Sequence, residues 1–145
     1  MSRLAPALCL LAIVLGVPTA AWSRTVELKL AQNGHFLAEA EINGRSVDVL
    51  VDTGATVVAL SYEDARKTGF RTASFDFKYP VSTANGVVKA AKVTIRRIVI
   101  DSIRIENVDA MIMPEGALTG SLLGMSFLSR LDSYKVENGV LYLRN

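Results

Sequence analysis

Apolar and polar residues alternate with a period of two along most of this chain. Val26, Leu28 and Leu30 share one face of an extended segment, and Phe36, Ala38, Ala40 and Ile42 share one face of the next. Val93 and Ile95 alternate with Thr94 and Arg96, and Ile98 and Ile100 continue after a shift of phase. Ile103, Ile105 and Val108 resume after an Asp101-Ser102 turn, and Leu141 and Leu143 follow near residue 145. Period two marks half-buried strands. Four Asn-Gly pairs punctuate the pattern, at 33–34, 43–44, 85–86 and 138–139. Both residues tolerate positive φ, so each pair predicts a tight hairpin with a type I′ turn. The pattern predicts an all-β domain with one or two short helices. One helix starts at Ser61-Tyr62-Glu63-Asp64, a capping pattern, and stops at Gly69; the other covers Met125–Leu131.

Residues 1–23 break the alternation. A single charge, Arg3, precedes an apolar run from Leu8 to Val17, which Pro18 and the small residues Thr19, Ala20 and Ala21 end. This is the plan of a secretory signal, with cleavage after Ala21 or Ser23. Counted from Leu4 to Trp22, the stretch nearly reaches the ~20 residues of a membrane span, so an uncleaved anchor is the alternative. Either reading divides the chain into a signal peptide or membrane anchor (1–23) and one domain (24–145). It also sends the domain out of the cytoplasm, to the periplasm or tethered to the membrane. Trp22 suits a membrane interface or a processed segment.

Composition narrows the chemistry. Half the residues are hydrophobic, enough for a core, and the formal charge is only +2. A near-neutral domain lacks the basic face of a generic nucleic-acid binder, so no nucleic-acid partner is expected. One His and one Cys exclude a His/Cys metal cluster, and the Cys lies in the leader. No metal and no cofactor are implied, and carboxylates are left as the main candidates. His35 reads as an exposed hairpin residue, Glu39 and Glu41 as solvated strand positions, and Arg96-Arg97 as opposite faces of one strand. Met111 and Met113 share a face and are expected to pack in the core. Asp48 is given no role.

The informative stretch is Val47-Asp48-Val49-Leu50-Val51-Asp52-Thr53-Gly54-Ala55-Thr56-Val57-Val58-Ala59-Leu60. An apolar strand runs straight into Asp52, and a second apolar strand leaves soon after. An ionised carboxylate between apolar runs costs several kcal/mol to bury unless it has a partner or a task. An Asx-turn would account for Asp52 and Gly54. It would not account for uninterrupted apolar strands on both sides.

These residues resemble the retropepsin-like aspartic proteases, most closely single-domain bacterial members with an N-terminal signal or anchor. The resemblance runs from about Glu27 to Leu143. Leu50-Val51-Asp52-Thr53-Gly54-Ala55 is similar to the active-site loop. Ser82-Thr83-Ala84-Asn85-Gly86-Val87 stands where the family has its flap hairpin. Leu122-Leu123-Gly124, followed by a short helix, is similar to the element that packs beside the active-site loop. The resemblance implies an acid-protease barrel and an aspartic endopeptidase that cuts peptide or protein substrates. Asp52 would be the catalytic carboxylate. Thr53 would brace the opposite loop, Gly54 would admit the substrate backbone, and Ala55 would pack beneath it. Ala84, Asn85 and Gly86 would form the flap tip.

One Asp-Thr-Gly per chain is half a site, so the resemblance implies a homodimer about a two-fold axis. The terminal strands, Val26–Leu30 and Val140–Leu143, are candidates for the intersubunit sheet. The chain departs from retroviral relatives at Thr56 and Met125, where an acidic residue and an Arg would form an ion pair supporting the dimer. Two other functions fit the same residues: a non-catalytic binding or dimerisation module on the same fold, and a processing protease of narrow specificity.

Overall fold

The computed structural model describes residues 23–145. The leader expectations for residues 1–22, including Trp22, therefore lie outside the described residues. Ten strands and two short helices follow in order: β1 (Thr25–Lys29), β2 (Leu37–Ile42), β3 (Arg45–Val51), β4 (Val58–Leu60), α1 (Tyr62–Lys67), β5 (Tyr79–Thr83), β6 (Gly86–Ile100), β7 (Ile103–Ile112), β8 (Ser121–Leu123), α2 (Met125–Leu128), β9 (Ser133–Glu137) and β10 (Val140–Arg144). The larger sheet runs β2-β3-β8-β4-β7-β6-β5, and a further pairing of β2 with β6 closes six of these strands into a barrel. The all-β expectation is borne out.

The alternating residues fill the barrel. Ala38, Ala40 and Ile42 of β2, Val47 and Val49 of β3, and Val108, Ala110 and Ile112 of β7 are buried inside it, with Phe127 and Leu128 of α2. The phase shift falls within one strand. β6 is a single strand in which Val93 and Ile95 face inward up to Arg96-Arg97, and Ile98 and Ile100 face inward beyond them. Its partner β7 changes phase opposite, at Glu106-Asn107, where Asn107 takes a positive φ of 53°. The Arg130 guanidinium holds this corner, donating to the carbonyls of Glu106 (2.5 Å) and Asn107 (3.1 Å). Beyond the corner β6 reaches β2. There the amide of Asn43 donates to the Arg97 carbonyl (3.0 Å), and the Arg97 side chain pairs with Glu41 (2.9 Å).

Two of the four Asn-Gly pairs form the expected turns. Asn43-Gly44 and Asn138-Gly139 have both residues at positive φ and join directly paired strands. The other two do not. At Asn33-Gly34 only Gly34 has positive φ, and a wider loop follows in which the Asn33 side chain accepts from the His35 amide (3.2 Å). At Asn85-Gly86 the loop residues are Ala84 and Asn85, and Gly86 already pairs with Thr83. The Thr83 hydroxyl provides the local alternative: it accepts from the Asn85 amide (3.2 Å) and donates to the Gly86 carbonyl (2.7 Å).

The terminal strands pair with each other. β1 pairs with β10 inside one chain, and β9 lies outside them, giving a second sheet ordered β1-β10-β9. The Asn138-Gly139 turn makes this possible, because it folds β10 back between β9 and β1.

The α1 cap forms as its sequence predicts: the Ser61 hydroxyl accepts from the Asp64 amide, and Gly69 ends the helix at φ 91°. α2 stops at Leu128, short of the expected Leu131. The Ser121 hydroxyl connects α1 to β8, accepting from the Ser61 amide (3.1 Å) and donating to Asp64 Oδ2 (2.7 Å). Ser61 and Ser121 are buried, so Ser121→Ala leaves a buried N–H without its acceptor. It is expected to lower stability by about 1–3 kcal/mol, measured by urea unfolding.

Candidate active site

The loop carrying Asp52 is held by a crossing of strands. β3 runs parallel to β8, with Leu50 opposite Leu122 and Val51 opposite Leu123, and β4 lies on the other side of β8, with Ala59 opposite Leu122. The chain from β3 to β4 therefore passes over the end of β8, at Gly124. The Asp52 amide donates to the Leu123 carbonyl (3.1 Å), and the Met125 amide donates to the Ala55 carbonyl (2.8 Å). A Cβ on Gly124 would lie 2.2 Å from the Val57 carbonyl oxygen and 2.7 Å from that of Ala55. Only glycine fits there. The exit of the loop is fixed by Ser126, whose hydroxyl accepts from the Val58 amide (2.9 Å) and donates to the Asp109 carbonyl (2.6 Å).

Within the loop Asp52 Oδ1 accepts from the Gly54 amide at 2.8 Å, which fixes the direction of the carboxylate. A Cβ on Gly54 would stand 3.1 Å from the same oxygen. Asp52 is half-buried, and Thr53 is exposed. The Asx-turn weighed from sequence is thus present, and it does not account for the surroundings.

Those surroundings are a cleft of about 790 Å³ on the outer face of the barrel. Its floor is Leu122, Ala59 and Met111, each directly opposite the next across β8, β4 and β7. Val57, Met113 and Leu118 form walls, and Pro80–Ala84 of the β5–β6 hairpin form the roof. Among the described residues, Asp52 is the one charged side chain on the lining. The apolar runs flanking Asp52 now have a reason: Val49, Val58 and Leu60 fill the core, whereas Ala59 points out into the cleft.

The predicted site residues thus divide. Asp52, Gly54, Ala55, Ala84 and Leu122 line the cleft. Leu123 and Gly124 are buried beneath the loop as supports. Asn85 and Gly86 lie at the hairpin tip and are not part of the lining, because the β5 side of the hairpin faces the cleft. Met111 and Met113 were expected in the core. Met113 is buried and Met111 half-buried, and both line the cleft. The signal for Met111 was its phase, opposite to the inward series Val108, Ala110 and Ile112. Leu118 and Pro80 carried no such signal. His35, Glu39 and Glu41 are exposed, as expected.

Comparison with known proteins agrees with this geometry. Residues 38–130 match the family described as "gag-polyprotein putative aspartyl protease". A retropepsin-like aspartic protease from Rickettsia conorii has a crystal structure that superposes with a TM-score of 0.77 at 33% identity, covering 84% of this chain and 91% of that one. The EIAV protease in complex with an inhibitor shares the fold at TM-score 0.57 and 19% identity, covering 70% of this chain and 91% of that one. Two bacterial relatives match most of the domain. An uncharacterized protein from the cobV 5′ region of a Sinorhizobium species is 43% identical over 120 residues, 83% of this chain and 52% of the relative. An uncharacterized Rickettsia prowazekii protein is 35% identical over 130 residues, 88% of this chain and 55% of the relative. The chain thus spans about half the length of these relatives. It belongs to the retropepsin-like aspartic protease family.

The crossing generates a prediction. Gly124→Ala forces a carbon into the Val57 carbonyl and is expected to abolish cooperative folding. Gly120→Ala, where a Cβ meets nothing within 4 Å, is expected to change stability by less than about 0.5 kcal/mol. Thermal unfolding followed by circular dichroism checks both.

Proposed function

We propose that this chain is an aspartic endopeptidase whose site is completed by a second copy. The observation that carries the reading is a carboxylate, Asp52, oriented by the Gly54 amide in a cleft that is otherwise uncharged among the described residues and lies beneath a hairpin. Two Asp52 carboxylates facing each other across a two-fold axis share one proton, since both cannot easily ionise at close range. The charged one takes a proton from a water held between them, and that water attacks the peptide carbonyl. The protonated one donates to the carbonyl oxygen, and the roles reverse as the amine leaves.

Thr53 braces the partner's loop in this reading, and Gly54 admits the substrate backbone. The apolar lining suits an extended peptide with uncharged side chains near the cut, and the hairpin with Ala84, Asn85 and Gly86 closes over it and excludes water. Residues 1–23 serve as signal or anchor and deliver the domain outside the cytoplasm.

The test is casein digestion by the wild-type chain and by Asp52→Asn over about pH 4–7, the range of coupled carboxylates. Asparagine keeps the oxygen that accepts from Gly54, so the variant is expected to fold with an unchanged melting temperature. Its rate is expected to fall by at least about 10³-fold, the scale of losing an essential catalytic group. Equal digestion by both would sink the mechanism. A folded, dimeric wild type that digests nothing would favour the narrow processing enzyme or the binding module.

A further inference from the structure

Strand β6 passes from the roof of the cleft into the wall of the barrel, and its two faces exchange surroundings on the way. On one face Val87 and Lys89 are exposed, and beyond them Ala91, Val93 and Ile95 are buried inside the barrel. The other face is the one turned to the cleft floor, because Lys92 on it stands directly opposite Met111 of β7. Along this face, every second residue, the surroundings change in the opposite order. Val88, opposite the roof residue Val81, is half-buried and Ala90 is buried, whereas Lys92, Thr94 and Arg96 are exposed. The change falls between Ala90 and Lys92, which places Lys92 at the mouth of the cleft, where its covered surface gives way to solvent.

Lys92 extends the floor row of Leu122, Ala59 and Met111 by one strand and ends it with a charge. It lies just outside a lining whose one charged side chain, among the described residues, is Asp52. The ion pairs among the described residues join Lys78 to Asp76, Arg97 to Glu41, Arg104 to Glu106 and Lys135 to Glu137, so the Lys92 ammonium has no carboxylate of its own there. The acid next to it by register is Asp109, which stands opposite Thr94, two residues farther from the hairpin.

We infer that Lys92 is a specificity-determining residue that binds an acidic side chain of the substrate at the mouth of the cleft, outside the apolar centre. This rests on the endopeptidase reading above and adds a charge preference to it. An extended peptide in the cleft sets uncharged side chains against Leu122, Ala59 and Met111, and a side chain near its exit passes the Met111 end of that row. A glutamate or aspartate there meets an ammonium on a flexible four-carbon stem. A lysine there meets a like charge. The pair forms at the mouth, so neither partner is taken fully out of water and the desolvation cost of a buried ion pair does not arise. A two-fold axis repeats Lys92, so the preference falls on both sides of the cut.

The test uses the full-length chain in detergent and labelled peptides with an apolar centre, each carrying Glu, Gln or Lys at one position outside that centre. The readout is the ratio of kcat/KM for the Glu peptide over the Lys peptide, which does not depend on how much of a preparation is active. At one position on each side of the cut the wild type is expected to favour Glu at least about fivefold, an attraction and a repulsion each on the scale of an exposed ion pair. Added salt should shrink the ratio. Lys92→Gln is expected to remove the preference and Lys92→Glu to invert it. The inference is overturned if the wild type favours Glu at no position, or if the ratio survives Lys92→Glu. A preference for Lys that Asp109→Asn removes would also overturn it and assign the charge reading to Asp109. Binding of the same peptides, followed by fluorescence anisotropy, separates this inference from the protease reading. A Glu preference in binding that Lys92→Glu inverts, without any cutting, would uphold the Lys92 site and sink hydrolysis. Cutting without a charge preference would do the reverse, and peptides neither bound nor cut would overturn both.

Discussion

The passage of the Asp52 loop over Gly124 is the constraint on which the rest depends. Two backbones approach there so closely that a single methyl group would overlap a carbonyl oxygen. The approach is fixed by amide bonds on both sides of the crossing, from Asp52 to Leu123 and from Met125 to Ala55. A carboxylate on an ordinary surface loop would sample many directions. Here the backbone on each side is held by strands of the barrel, and the carboxylate is oriented by an amide two residues along. Pre-organisation of this kind is what chemistry at a carboxylate requires.

The same crossing builds the cleft. Because β8 threads between β3 and β4, their outward-facing residues lie side by side, and a row of apolar side chains runs from Leu50 through Leu122 and Ala59 to Met111. The inward-facing residues of those strands are the core. Strands that are apolar on both faces would invite aggregation if exposed. The β5–β6 hairpin covers part of this outer face and converts it into a site. Stability and the shape of the cleft therefore depend on the same strands.

The region around Met125 shows how one family pattern can be kept while its electrostatics change. Thr56 and Met125 stand where a charged pair supports retroviral dimers, and both charges are missing together, so neither is left uncompensated. Met125 instead packs toward Tyr134 of a strand whose apolar side chains are exposed. A contact of this kind would respond weakly to salt, because screening acts on charge.

The all-β class, the barrel strands, the α1 cap and the Asp52 motif were legible in the sequence because each is governed by local rules. Alternation follows from the geometry of the pleat, a Ser at an N-cap finds its own helix, and an Asp between apolar runs is anomalous wherever it occurs. What tertiary structure decided was non-local. The 33–34 and 85–86 turns were set by side-chain hydrogen bonds that compete with the Asn-Gly preference. Met111 changed from expected core to cleft lining because the opposite face of β7 meets a hairpin distant in sequence. The terminal strands paired with each other because a turn returned β10 between β9 and β1. Periodicity shows that a residue is buried on one side; only the packing of remote strands decides what lies there.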